Sequence, residues 1–76
     1  MEVWFSRHAR NRMRFWHLTD DVVFQTLAEP DQVLPSKNNR KNFWKALNGG
    51  LLRVTCIEED DRTVIITVTL RKKKGE

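Results

Sequence analysis

The sequence holds one cysteine, no tyrosine, two prolines and three glycines, and nowhere a long uncharged apolar run. Each shortage excludes something. Cys56 has no second cysteine with which to close an internal disulfide or a zinc knuckle, which fits a reducing, intracellular setting. A membrane-spanning helix needs about 18 consecutive apolar residues, and no stretch comes near that. The N-terminus also lacks the apolar centre of a signal peptide. The expectation is a soluble, cytoplasmic protein with no membrane partner. No glycine-rich phosphate loop and no Ser-His-Asp signature is present.

What the chain does have is charge and large apolar side chains. Its 76 residues suffice for one small core, read as a single domain over 1–76. At 39% hydrophobic, with three tryptophans and four phenylalanines, it can fill that core and need not be disordered. A net charge of +4 and an isoelectric point near 9.7 favour a polyanionic partner such as RNA. The charge comes in alternating blocks: basic over 1–18, acidic over 19–35, basic over 36–53, acidic over 54–61 and basic thereafter. Folding can gather the basic blocks on one side.

Glu2 to Phe5 is a short apolar-leaning opening, and Ser6 is placed to cap a helix running from Arg7 to His17. Ala9, Met13 and Trp16 form its core face, His8 and Arg12 share one margin, and Arg7, Arg10 and Arg14 lie on another side. Thr19-Asp20-Asp21 opens a second helix through Ala28, with acids where the dipole favours them, and Pro30 ends it. Val22, Val23, Thr26 and Leu27 form its inward side. Asp31 to Leu34 reads as a first or edge strand, and Pro35 to Asn39 as a polar turn.

Beyond Arg40 the pattern alternates. Strands at 41–47, 51–57 and 63–71 are separated by turns at Asn48-Gly49-Gly50 and Glu58 to Asp61. In the last strand Val64, Ile66, Val68 and Leu70 point one way and Thr63, Thr67, Thr69 and Arg71 the other, an order that Ile65 interrupts. Leu52, Val54 and Cys56 give the core face of the strand before it, leaving Arg53 and Thr55 outward. Trp16, Phe24 and one of Phe43 and Trp44 belong in the core, and the other of that pair faces out, where it can stack on a base. Residues 72–76 read as a frayed tail. The expected fold is α+β: two N-terminal helices packed on a three- to four-stranded antiparallel sheet.

The run Phe5-Ser6-Arg7-His8-Ala9-Arg10-Asn11-Arg12-Met13, with Leu18-Thr19-Asp20-Asp21-Val22 and Glu29-Pro30 after it, resembles the domain-of-unknown-function family numbered 4258. His8-Ala9-x-x-Arg12 is the most specific element. That family is similar to the RelE-like superfamily of endoribonucleases, which takes in barnase-, EndoU- and colicin-type members. The resemblance implies helices on one side of a curved sheet and RNA across the other. It also implies metal-independent cleavage and a toxin role, with an acidic antitoxin as partner.

Cleaving RNA without a metal takes a base for the 2′-hydroxyl, positive charge around the phosphate and an acid for the leaving oxygen. Histidine can do the proton work near neutral pH and arginine can fork onto phosphate oxygens. His8 and Arg12, four apart on one helix, are the expected catalytic pair, and the resemblance points to the same two positions. Arg53 and Arg71 are the further catalytic cations, and Arg7, Lys45, Thr67 and Thr69 the expected RNA contacts.

His17 simply suits the dipole of a helix C-terminus. Glu58-Glu59-Asp60-Asp61 reads as a solvated turn and not a metal site, and Cys56 as an inert core residue. No metal or cofactor is expected. Two other functions stay open: a non-catalytic nucleic-acid-binding module, and a protein-interaction domain using the charge blocks and spare strand edges.

Overall fold

The computed structural model describes residues 2–47 and 49–72. In chain order these form β1 (Glu2–Phe5), α1 (Arg7–Trp16), α2 (Asp20–Ala28), β2 (Gln32–Pro35), β3 (Arg40–Leu47), β4 (Gly50–Glu59) and β5 (Arg62–Lys72). A short 3-10 turn at Lys37–Asn39 joins β2 to β3. The α+β class follows the sequence reading, but the sheet does not. It has five strands in the order β1-β5-β4-β3-β2 and is mixed, because β1 runs parallel to β5. The reason is topological: the chain leaves β1 and passes through every other element before β5 returns beside it. Four residues of local pattern carry no trace of that orientation.

Ser6 links sheet to helix. Its backbone N–H donates to the Ile65 carbonyl at 3.0 Å, its hydroxyl donates to the Ile66 carbonyl at 2.8 Å, and the same oxygen accepts from the Ala9 N–H at 3.0 Å. One short side chain thus ends the β1 ladder and caps α1. The helix stops one residue sooner than the sequence suggests. His17 takes a left-handed φ of 58°, and its N–H and that of Leu18 turn back to the carbonyls of Arg14 and Met13. Thr19 then caps α2, accepting from the Val22 N–H at 3.3 Å. Arg10 bridges to Asp20 at 2.6 Å and lays its guanidinium 3.9 Å from the centre of the Phe5 ring, tying both helices to β1.

The core draws Ala9 and Met13 from α1, Val23 from α2, Leu52, Val54 and Cys56 from β4, and Ile65 and Val68 from β5. Phe43 packs against it, so Trp44 is the outward member of that pair. Phe24, expected inside, remains 42% exposed because it lies over Phe5 at the margin of α2. The expected alternation of β5 is also corrected. Thr55 pairs with Thr67, yet Cys56 pairs with Ile65, so Ile66 is an extra residue in a β-bulge. The phase of the strand changes there. Thr63 and Ile65 point inward before it, displacing Val64 to the other face, while Thr67, Thr69 and Arg71 keep their outward places after it.

Lys72 belongs to β5, and the rest of the expected tail lies outside the described residues, as does Asn48 of the hairpin turn. At the opposite side of the sheet, the Ser36 N–H donates to the Arg40 carbonyl at 2.8 Å. Counting back in steps of two, the missing N–H of Pro35 faces away from β3, where an edge strand tolerates it. Among the described residues no helix is long and apolar enough to cross a membrane.

Ser6→Ala removes the helix cap and the donor to the Ile66 carbonyl together. The expected cost is about 1–2 kcal/mol in urea unfolding with an unchanged m-value. A loss within about 0.5 kcal/mol, the range of an ordinary surface change, would show that Ser6 does not carry the junction.

Candidate nucleic-acid interface

Residues that alternate with the core positions of β3, β4 and β5 form the sheet face opposite α2. Register places them in rows across the strands. Ala46, Leu51 and Arg71 make one row; Trp44, Arg53 and Thr69 the next; Asn42, Thr55 and Thr67 the third. Beyond these come Ile57 and Val64 with Trp4, and last Glu59, Arg62 and Glu2. Charge is therefore graded along the face. Arg53 and Arg71 occupy one end, where the Asp31 carboxylate accepts from the Ala46 N–H at 2.7 Å, and Glu2 and Glu59 sit at the far end, where Arg62 bonds Glu59 at 2.8 Å.

Arg53 is held in place before any ligand arrives. Its Nη2 donates to Thr69 Oγ1 at 3.4 Å, and the guanidinium stands 5.5 Å from the centre of the Trp44 ring. Its Nε and the Trp44 Nε1 are both buried and have no hydrogen-bond partner. In the neighbouring row the Thr55 hydroxyl donates to Asn42 Oδ1 at 2.7 Å, which fixes that pair and leaves Thr67 beside it. Arg71 is exposed and lines a hollow of about 300 Å³ with Ala46, Gly50, Leu51 and Lys72.

The residues singled out on α1 are arranged differently. His8 is exposed and, among the described residues, its side chain makes no hydrogen bond, ion pair or ring contact. Arg12 lies over Phe15 at 4.8 Å and Trp16 at 5.5 Å from the ring centres. By helical spacing these side chains occupy the flank turned away from Arg10 and its bond to α2. The helix packs against β5, but no hydrogen bond, ion pair or ring contact among the described residues joins His8 or Arg12 to Arg53, Thr67, Thr69 or Arg71. Arg7 is exposed at the first position of α1.

Lys45 does not share the face of Arg53. It pairs with buried Leu52, on the side of Phe43, and its Nζ donates to the Glu29 carbonyl at 2.9 Å just beyond the end of α2. Its stem covers apolar surface while its charge serves the helix C-terminus. Of two further residues with functional potential, the sequence leaves one undecided and passes over the other. Trp44 was left ambiguous, although counting outward from the Leu47–Gly50 pair puts it opposite Arg53. Phe15, 62% exposed beside Arg12, carries no expectation from the sequence.

With this geometry in hand, comparison with known proteins adds one finding. The family model described as Domain of unknown function (DUF4258) matches residues 5–69. The chain belongs to that family. No curated protein and no solved structure matches it. The DUF4258 match begins at the end of β1 and closes at Thr69, so it takes in His8, Arg12, Arg53, Thr67 and Thr69 and stops short of Arg71.

Away from this face, Lys41 and Glu58 meet at 2.7 Å, and hydrogen bond and charge together raise the lysine above its ordinary range. Burial, followed by the charge of Glu58, pushes the Cys56 thiol up to about 11. The folded DUF4258 domain therefore keeps that proton when the unfolded chain, with a thiol near 9.0, has lost it. Its contribution to stability is complete below pH 9.0 and falls as the pH rises toward about 11. Denaturant titrations at pH 8 and 10 are expected to show this decline, and Cys56→Ala to flatten it. Equal slopes for both proteins would overturn the assignment.

Proposed function

We propose that this domain binds RNA on the sheet face opposite α2, with Arg53 and Arg71 holding phosphates and Thr67 and Thr69 adding hydroxyl donors. The observation that carries this reading is Arg53, fixed between the Thr69 hydroxyl and the Trp44 ring at the cationic end of this face. A preordered guanidinium spends little entropy in forking onto a phosphate. Its row and the next hold no acidic residue of β3, β4 or β5, and the Asp31 carboxylate beside Ala46 is engaged by the Ala46 N–H.

A second reading is favoured by His8, an exposed imidazole with no partner among the described residues, four residues from Arg12. It is a metal-independent endoribonuclease of RelE-like type, the activity implied by resemblance, in which His8 moves a proton and the arginines steady the phosphate. Its substrate would have to span from the α1 flank to β5. A toxin role and an acidic antitoxin that covers the same cations belong to this reading.

Binding is tested by fluorescence anisotropy with labelled RNA across a salt series. Arg53→Ala and Arg71→Ala are each expected to weaken binding about tenfold and to lower the salt slope by about 0.7. Unchanged affinity in the double variant would refute the RNA face. Cleavage is tested separately, with RNA in EDTA. Turnover that disappears in His8→Ala supports the nuclease; no turnover, or turnover indifferent to that change, removes it and leaves binding standing.

A further inference from the structure

The hollow at the cationic end of the sheet face combines two kinds of surface. Its floor is almost wholly apolar, with Ala46 and Leu51 paired across β3 and β4, and Gly50, Arg71 and Lys72 complete its lining. Leu51 is 37% exposed, more than burial in a core would leave it. Gly50 keeps the depression close to β5, since a Cβ there would stand 2.9 Å from the Arg71 carbonyl. Arg53 and Trp44 follow in the next row.

A free anion would make no use of the apolar floor, and an apolar ligand would make none of the cations. The surface is complementary to a unit that carries both, a base joined to a phosphate. At about 300 Å³ the hollow lies at the lower end of small-ligand pockets, the scale of one nucleotide. A base can reach such a floor only when it is unpaired and splayed from its stack.

We infer that this hollow is a base subsite that restricts the domain to single-stranded RNA. The base lies on Leu51 and Ala46, its phosphate meets Arg71, and the adjoining phosphate runs toward Arg53. The inference rests on the RNA-binding reading above and adds to it the strandedness of the ligand and the place of one base.

The test compares three labelled ligands at one salt concentration: a single-stranded oligoribonucleotide, its duplex, and the same single strand carrying abasic sites. The single strand is expected to bind about tenfold more tightly than either of the others. Leu51→Thr, a β-compatible change on an exposed face, is expected to remove that preference while leaving the salt slope intact. Arg71→Ala should lower the slope by about 0.7 instead. Equal binding of all three ligands, or a Leu51→Thr protein that keeps the preference, overturns the base subsite while RNA binding stands. Absence of binding to every ligand overturns both readings.

Discussion

One additional residue in β5 organises the molecule. At Ile66 the strand holds a side chain that β4 cannot match, so the pleat changes phase between Ile65 and Thr67. The carbonyls of Ile65 and Ile66 are the two that Ser6 reads, which places the end of β1 and the start of α1 at the same point. Below the bulge, β5 is an interior strand carrying Thr63 and Ile65 to the core. Above it, the strand sends Val68 inward and turns Thr67, Thr69 and Arg71 outward. Without the shift, the inward residues of the lower half and those of the upper half would lie on opposite faces, and no single core could take both.

Where the sequence was informative, it was so through local rules. Ser6 and Thr19 announce both helix starts because a hydroxyl before an amphipathic run has little else to do. Leu52, Val54 and Cys56 show the core face of β4 by strict alternation. Three things were hidden for separate physical reasons. The parallel pairing of β1 depends on where a strand 60 residues later comes to rest. The bulge shows only as the run Val64-Ile65-Ile66, in which Ile65 breaks the period without revealing which residue is extra. Lys45 was misplaced because its charge suggested solvent, whereas register from the Leu47–Gly50 turn puts it opposite Leu52.

The same division applies to the site. Arg53, Thr67, Thr69 and Arg71 were legible as one outward set because alternation is a two-residue rule. Their joint geometry was not, since it follows from pairing across three strands. Trp44 supplies the ring that steadies Arg53, and nothing in its own neighbourhood distinguishes it from Phe43. His8 and Arg12 were joined to that set by chemistry alone. Arg12 lays its guanidinium over the rings of Phe15 and Trp16 on α1 itself.

Pro35 has an effect that reaches beyond the single chain. The outer margin of β2 offers the N–H of Val33 and then a gap, because the following outward position bears a pyrrolidine ring. A second molecule laying its own strand there would find the ladder broken after one rung, so close neighbours would not zip into a continuous sheet. Copies held side by side could touch through their side chains and still separate.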